Sequence, residues 1–346
     1  MAEYSIAEAD LRADGDAIQS VWASNLSCDR EGAAAKLGLG YLNNPAGTGV
    51  VLLLRTTAEP GPKGTLGLHP RRLHLGSQIV NAIALADFAV DSEHRSLGPA
   101  MMLMRKGIEY SAERCQITYG LPNHRAAPVF AACKLQRFAD LQRFAKSLRS
   151  LPYLSRHLPG WLARIAAPVI DLALRGLDQV RKTRQRSDLT CRATTWDDPV
   201  FDQLWTKRSP EILVSERSAA MLNWRFGQAG RVEWKVCAAH DQNGESCGYV
   251  VWRDTRGFVE VGDFATDAPE LRTAPLMMAF TRFIRDTGAH AISVEFSGPA
   301  HIAAQLQASG LRRRPEEWPV FVGSTFLGSL ASAPEWLVTA FDNDAD

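Results

Sequence analysis

The run Val90-Asp91-Ser92-Glu93-His94-Arg95-Ser96-Leu97-Gly98-Pro99-Ala100 contains the spacing Arg95-x-x-Gly98-x-Ala100, placed where a strand-like segment gives way to a helical one. The first amide N–H groups of a helix have no internal partner and stand at the positive end of the helix dipole. Such a turn is an anion site. Gly98 would let the backbone approach a pyrophosphate, Arg95 would supply a counter-charge, and Ala100 is too small to obstruct it. Three nearby side chains could move protons: Asp87 as a base, Tyr119 as an acid, and His124, of a type that titrates near neutrality. Each has a competing structural role, and Asp87 in particular recurs as Asp263, where no comparable glycine loop follows.

Hydropathy periodicity places these residues on the elements of an α+β fold. In the first half, strands are expected from residue 4 and over 50–55, 66–75 and 78–87, with helices over 15–25 and 31–42. Residues 97–114 read as a helix with Met101, Met104, Ile108 and Ala112 on one face, then a strand at 116–120 and a helix at 125–134. In the second half, strands at 232–239 and 246–253 flank the turn Asp241-Gln242-Asn243-Gly244. A strand at 257–264, a helix at 271–287, a strand at 291–296 and a helix at 301–308 follow.

The two sets repeat. Asp87-Phe88-Ala89-Val90-Asp91 returns as Asp263-Phe264-Ala265-Thr266-Asp267, 176 residues on. The same register pairs Pro99 with Pro275, Met101-Met102 with Met277-Met278, Ile108 with Ile284, and Leu135 with Leu311. A register held over some 50 residues marks a duplicated unit. The expected division is 1–147, a connector at 148–187, and 188–346, which suits a chain of 346 residues.

The connector differs in character. Residues 149–186 carry eight Arg or Lys against Asp171 and Asp178, a net of +6, with apolar residues at helical spacing and Pro168 expected to split the helix in two. It reads first as a spacer packed on both halves, and alternatively as a basic amphipathic surface helix meeting anionic lipid. Over the whole chain the charge is nearly balanced, +1 with 46% hydrophobic and 22% charged residues, so nothing global points to nucleic acid. The acidic start and the lack of 18 consecutive apolar residues suggest a cytoplasmic protein without a membrane span. The six dispersed cysteines read as small core residues, and Cys237, His240 and Cys247 have the wrong spacing for a metal site, so none is expected.

The loop resembles the acetyl-CoA signature of the GNAT superfamily of N-acetyltransferases, and Pro122-Asn123-x-x-Ala126 resembles the Asn-x-x-Ala opening that family's next helix. The duplicated layout, Leu222-Asn223-Trp224-Arg225-Phe226 and Trp336-Leu337-Val338-Thr339-x-Phe341-Asp342 resemble tandem-GNAT proteins. The resemblance implies two GNAT-like domains, each a mixed, mostly antiparallel sheet flanked by helices, joined by the connector. It implies acetyl-CoA or another acyl-CoA, with Phe88, Ala89 and Val90 lining the thioester. Arg95, Ser96, Leu97, Gly98, Pro99, Ala100 and Met101 would hold the pyrophosphate, and Asn123 would lie close by. The implied reaction is acyl transfer to an amine of a small metabolite or amino sugar, and the small residues Ala84, Ala86 and Ala89 would leave room for a longer acyl group. The family's usual tyrosine acid is Phe130 here, its usual glutamate base is Ala84, and the second half has Leu271 in place of Arg95 and no loop glycine. These departures keep open a non-catalytic, CoA-binding regulator of a polysaccharide pathway.

Overall fold

The computed structural model describes residues 3–26, 28–185, 188–227, 233–330 and 334–343. The first half runs β1 (Tyr4–Glu8), α1 (Gly15–Asn25), α2 (Arg30–Lys36), β2 (Val50–Thr56), β3 (Pro62–Leu75), β4 (Gln78–Val90), α3 (Leu97–Ala112), β5 (Ile117–Gly120), α4 (Ala127–Ala132) and β6 (Gln136–Ser147). Then come α5 (Leu151–Leu154) and α6 (Gly160–Gln185). The second half runs β7 (Thr190–Ala193), α7 (Val200–Thr206), β8 (Ile212–Ser215), α8 (Ala219–Leu222), β9 (Lys235–His240), β10 (Ser246–Thr255) and β11 (Phe258–Thr266). It ends with α9 (Pro269–Asp286), β12 (Ala291–Ser297), α10 (Ala300–Ala308), β13 (Arg312–Ser324), α11 (Thr325–Ser329) and β14 (Glu335–Thr339). The helices α2 and α8 each continue into a π-helical turn, Leu37–Leu42 and Asn223–Gly227.

The strands form one mixed sheet. Strands β1 to β4 are an antiparallel meander, and β4 then runs parallel to β5. Strands β7, β9, β10 and β11 repeat that meander, and β11 runs parallel to β12. The last long strand after each run is exchanged: β13 pairs with β5, β6 pairs with β12, and β6 and β13 pair with each other. The short strands β14 and β8 link β12 to β3, so eight strands close into a ring. Leu73, Ala82, Ile117, Tyr119, Leu141 and Trp336 belong to the cluster filling it. Each large apolar side chain buried there contributes about 2 kcal/mol.

Helix α3 buries Ala100, Leu103, Met104, Gly107 and Ser111. The inward face is thus turned by about one residue from the expected Met101–Ile108 line, because α3 approaches the sheet most closely at Gly107. A Cβ there would stand 2.4 Å from Leu66 Cδ2. Pro168 does not divide the connector: α6 is one 26-residue helix with the proline inside it. An interior proline removes one helical bond. The helix survives because it is anchored on both sides of that point, through buried Ala163 and Ala167 before and just at it, and Asp171 and Asp178 beyond. Residues 186–187 of the expected connector and Val232 of the expected strand lie outside the described residues.

Candidate functional site

Strands β4 and β5 pair only through Ala82↔Ile117, Ile83↔Thr118 and Ala84↔Tyr119. Beyond that point β4 continues for six residues while β5 ends at Gly120, so the two part. In the same stretch β4 carries a bulge. Thr65 faces Ala89 and Gly67 faces Ala86, leaving one extra residue on β4. Asp87 lies in this bulge with φ +47, a left-handed conformation that aspartate tolerates better than most residues.

The Asp87 carboxylate is buried and ionised. Lys36 Nζ lies 2.7 Å from Oδ1, and Tyr41 donates its hydroxyl to Oδ2 at 2.7 Å. His69 Nε2 stands 3.7 Å from Oδ2. Burial by itself would raise the pKa, but Lys36 and His69 outweigh it and hold the carboxyl well below its usual range. A carboxylate so stabilised is a weak proton acceptor. Because its folded pKa is depressed, its contribution is complete above the pH where an unfolded aspartate ionises, and is lost only as pH falls through the depressed native value. Asparagine also accepts positive φ, so Asp87→Asn isolates the charge. We expect that variant to lose about 3 kcal/mol at pH 7, with the loss vanishing in strong acid, as followed by urea unfolding across pH.

A narrow cavity of ≈ 10 Å³, room for about one water molecule, occupies the gap between the strands, bordered by His69, Arg71, Ala84, Ala86, Tyr119 and Asp342 among others. His69 and Arg71 alternate on β3 and therefore share a face. Arg71 is 4% exposed, and its guanidinium lies over the Trp224 ring at 4.8 Å. It makes one long bond, Nη1 to the Pro70 carbonyl at 3.4 Å. Its Nε has no hydrogen-bond partner, and it forms no ion pair with a carboxylate among the described residues. Asp342 is engaged elsewhere, with Arg217 Nη2 at 2.7 Å. Tyr119 is fully buried and its hydroxyl also lacks a partner. Burial pushes its pKa up to about 12 despite the neighbouring Arg71, so the phenol stays neutral.

Helix α3 starts at the other end of the parted strand. Ser96 precedes it in an extended conformation, and its hydroxyl caps nothing. Leu97 and Gly98 are exposed, and a Cβ at Gly98 would meet nothing within 4 Å. Pro99 offers no N–H, and Ala100 N reaches only the Ser96 carbonyl, at 3.4 Å. Arg95 braces the turn, donating Nε to Val90 O at 3.1 Å and Nη2 to Asn25 Oδ1 at 2.9 Å. Phe88 and Met101 are half-buried against the core beneath, while Ala89 and Val90 are buried.

The remaining expected site residues lie apart from the cavity. Asn123 accepts from the backbone N–H groups of Arg125 and Ala126 and so holds the turn opening α4. His124 is exposed beside it. Phe130 is core, and a Cβ on Gly120 would collide with its ring. Lys36, Tyr41, His69 and Arg71 were missed from sequence. The available signal was the pair His69-x-Arg71, two polar residues on one face of a strand.

In the second half β11 similarly outruns its pairing with β12, and a larger cavity of ≈ 90 Å³ follows, bordered by Phe264, Ala265, Thr266, Pro269, Thr273 and Ile302 among others. Its buried Asp263 is fully engaged, by Arg217 at 3.1 Å, Tyr249 at 2.7 Å and Thr339 at 2.7 Å. The start of α9 presents Leu271 and an Arg272–Asp267 ion pair at 2.9 Å in place of an open glycine turn.

No protein-family model matches the sequence, and no curated protein does. Solved structures do match. A GCN5-related N-acetyltransferase from Anabaena variabilis superposes with a TM-score of 0.64 at 12% identity, over 97% of this chain and 85% of that one. A second, from Kribbella flavida, gives 0.57 at 15% identity, over 92% and 71%. The N-myristoyltransferase of Saccharomyces cerevisiae, solved with bound myristoyl-CoA, gives 0.57 at 11% identity, over 93% and 79%. With the parted parallel strands and the bulge in β4, these likenesses give the chain the fold of the GCN5-related N-acetyltransferases.

Proposed function

We propose that the chain is an acyl-CoA-dependent N-acyltransferase whose donor lies along β4 and the start of α3, and whose amine acceptor enters the cavity between β4 and β5. The parting of those strands over a cavity, with an uncapped helix N-terminus at the far end of β4, carries this reading. The residues present suit the donor: Leu97 and Gly98 are open to a pyrophosphate, and Phe88, Ala89 and Val90 form the strand beside the gap. Bound acyl-CoA supplies a thioester carbonyl as electrophile. Acetyl is the default acyl group, and it suits the narrow cavity that Ala84 and Ala86 border. Residues 1–147 and 188–346 are read as two related units, of which the first holds the donor.

Within the first unit the base is His69. It lines the cavity, and Asp87, too acidic to take the proton itself, orients the imidazole and stabilises its protonated form. Tyr41 packs edge-on against that ring at 4.2 Å and limits its rotation. Such a dyad favours an enzyme over a regulator that only binds CoA. Arg71 and Tyr119 aim two unsatisfied donors at the same space, and a buried guanidinium without a counter-ion is strongly destabilising. One carboxylate satisfies both. The acceptor is accordingly an amine that also bears a carboxylate, such as an amino acid. His69→Gln is expected to lower kcat on the order of 100-fold and to flatten the acid limb of the rate–pH profile, with CoA affinity unchanged by calorimetry. An unaltered profile would remove His69 as the base.

A further inference from the structure

Helix α6 leaves uncovered the largest run of exposed apolar side chains among the described residues. Only Ala163 and Ala167 of its 26 residues are buried. On that inner face Asp171 accepts from Ser150 N at 2.7 Å, and Asp178 is held by Lys146 at 2.8 Å and Arg285 at 2.7 Å. On the opposite arc Trp161, Ile165, Val169 and Leu172 are 65%, 66%, 70% and 70% exposed. Their spacing of four, four and three residues sets them in one row, roughly 16 Å long at the helical rise. Leu162 and Val180 widen it. A stripe of this size on a protein surface marks an interaction site.

Charge decides what covers it. Both acidic residues of the segment face inward, whereas Arg164, Arg175 and Arg184 are exposed along the helix. A second copy docked through the same face would set these guanidiniums against one another. An anionic lipid surface instead accepts the apolar row among its acyl chains and the arginines at its headgroups. No helix among the described residues is long and apolar enough to cross a membrane, which fits a helix lying in the plane of the interface. We propose that α6 docks the protein onto anionic lipid surfaces, its Trp161–Leu172 row immersed and its arginines against phosphate headgroups.

The test is flotation of the full chain with phosphatidylcholine vesicles, with and without phosphatidylglycerol. The protein should float with the anionic vesicles, and salt should weaken the association. Trp161→Ser/Ile165→Ser/Leu172→Ser should reduce partitioning on the order of tenfold or more, and Arg164→Glu/Arg175→Glu should abolish the preference for phosphatidylglycerol. Because these side chains point away from the body, both variants should unfold at the wild-type temperature and keep wild-type CoA binding. Flotation of the serine variant at the wild-type level overturns the proposal. So does failure of the wild type to float. A wild-type dimer in sedimentation equilibrium that the serine variant dissolves assigns the face to a second copy instead.

Discussion

Gly98→Glu is expected to weaken coenzyme A binding on the order of 100-fold or more while leaving the protein folded. Nothing lies within 4 Å of a Cβ at this position, so a side chain is accommodated without strain in the fold. A carboxylate in the first turn of a helix also interacts favourably with the dipole, by about 0.5 kcal/mol, so the ligand-free variant should melt no lower than the wild type. The same carboxylate would occupy the position proposed for the pyrophosphate. Like charges brought together this closely weaken binding on the order of 100-fold or more. Calorimetry with CoA, acetyl-CoA and a long-chain acyl-CoA is the measurement. Gly98→Ala serves as the comparison, since a methyl group enters open space and should bind within a few-fold of wild type. If the wild type yields no heat with any of the three, the helix start holds no nucleotide and the acyltransferase reading falls.

The second large effect concerns the acceptor. Wild-type kcat/KM for an amino acid should exceed that for the matching decarboxylated amine on the order of 100-fold, because Arg71 and Tyr119 are left unpaired when the carboxylate is missing. Arg71→Gln should erase that preference and leave CoA binding intact. Tyr119→Phe keeps the ring against Trp336, where the centroids are 5.0 Å apart, and should forfeit about tenfold. Arg71→Met brings an opposite expectation for stability. Removing a buried charge that has no partner should leave the ligand-free protein as stable as before, or more so, in contrast to Asp87→Asn. Equal rates for the acid and the amine would sink the carboxylate assignment without touching the donor site, which Gly98→Glu probes separately.

Much of this was legible in the chain, and the boundary has a physical basis. The Asp241–Gly244 hairpin, α1, α3 and the Arg95–Ala100 turn follow from local chemistry: turn residues, a 3.6-residue period and a helix start. Strands β6 and β13 did not stand out. β13 contains Arg312-Arg313-Arg314, Pro315 and Pro319, a composition that argues against a strand, and its residues are held there by pairing with distant partners. Arg71 was invisible for the same reason. In a single strand it reads as a solvent-facing charge, and only Trp224 and Asp342, supplied by the other half, enclose it. Asp87 was found, but its role depended on Lys36 and Tyr41, which a π-helical turn brings under the bulge.

The exchange of β6 and β13 governs when the cavity can exist. Gly120 on β5 bonds across to Phe321, about 200 positions later. During synthesis β5 keeps a bare flank until β13 has emerged, and unpaired flanks invite misassociation. Asp342, on the wall of the cavity, emerges later still. The interlock ties the cavity to both halves: neither half by itself holds its full lining, and contacts this remote in sequence are expected to slow folding.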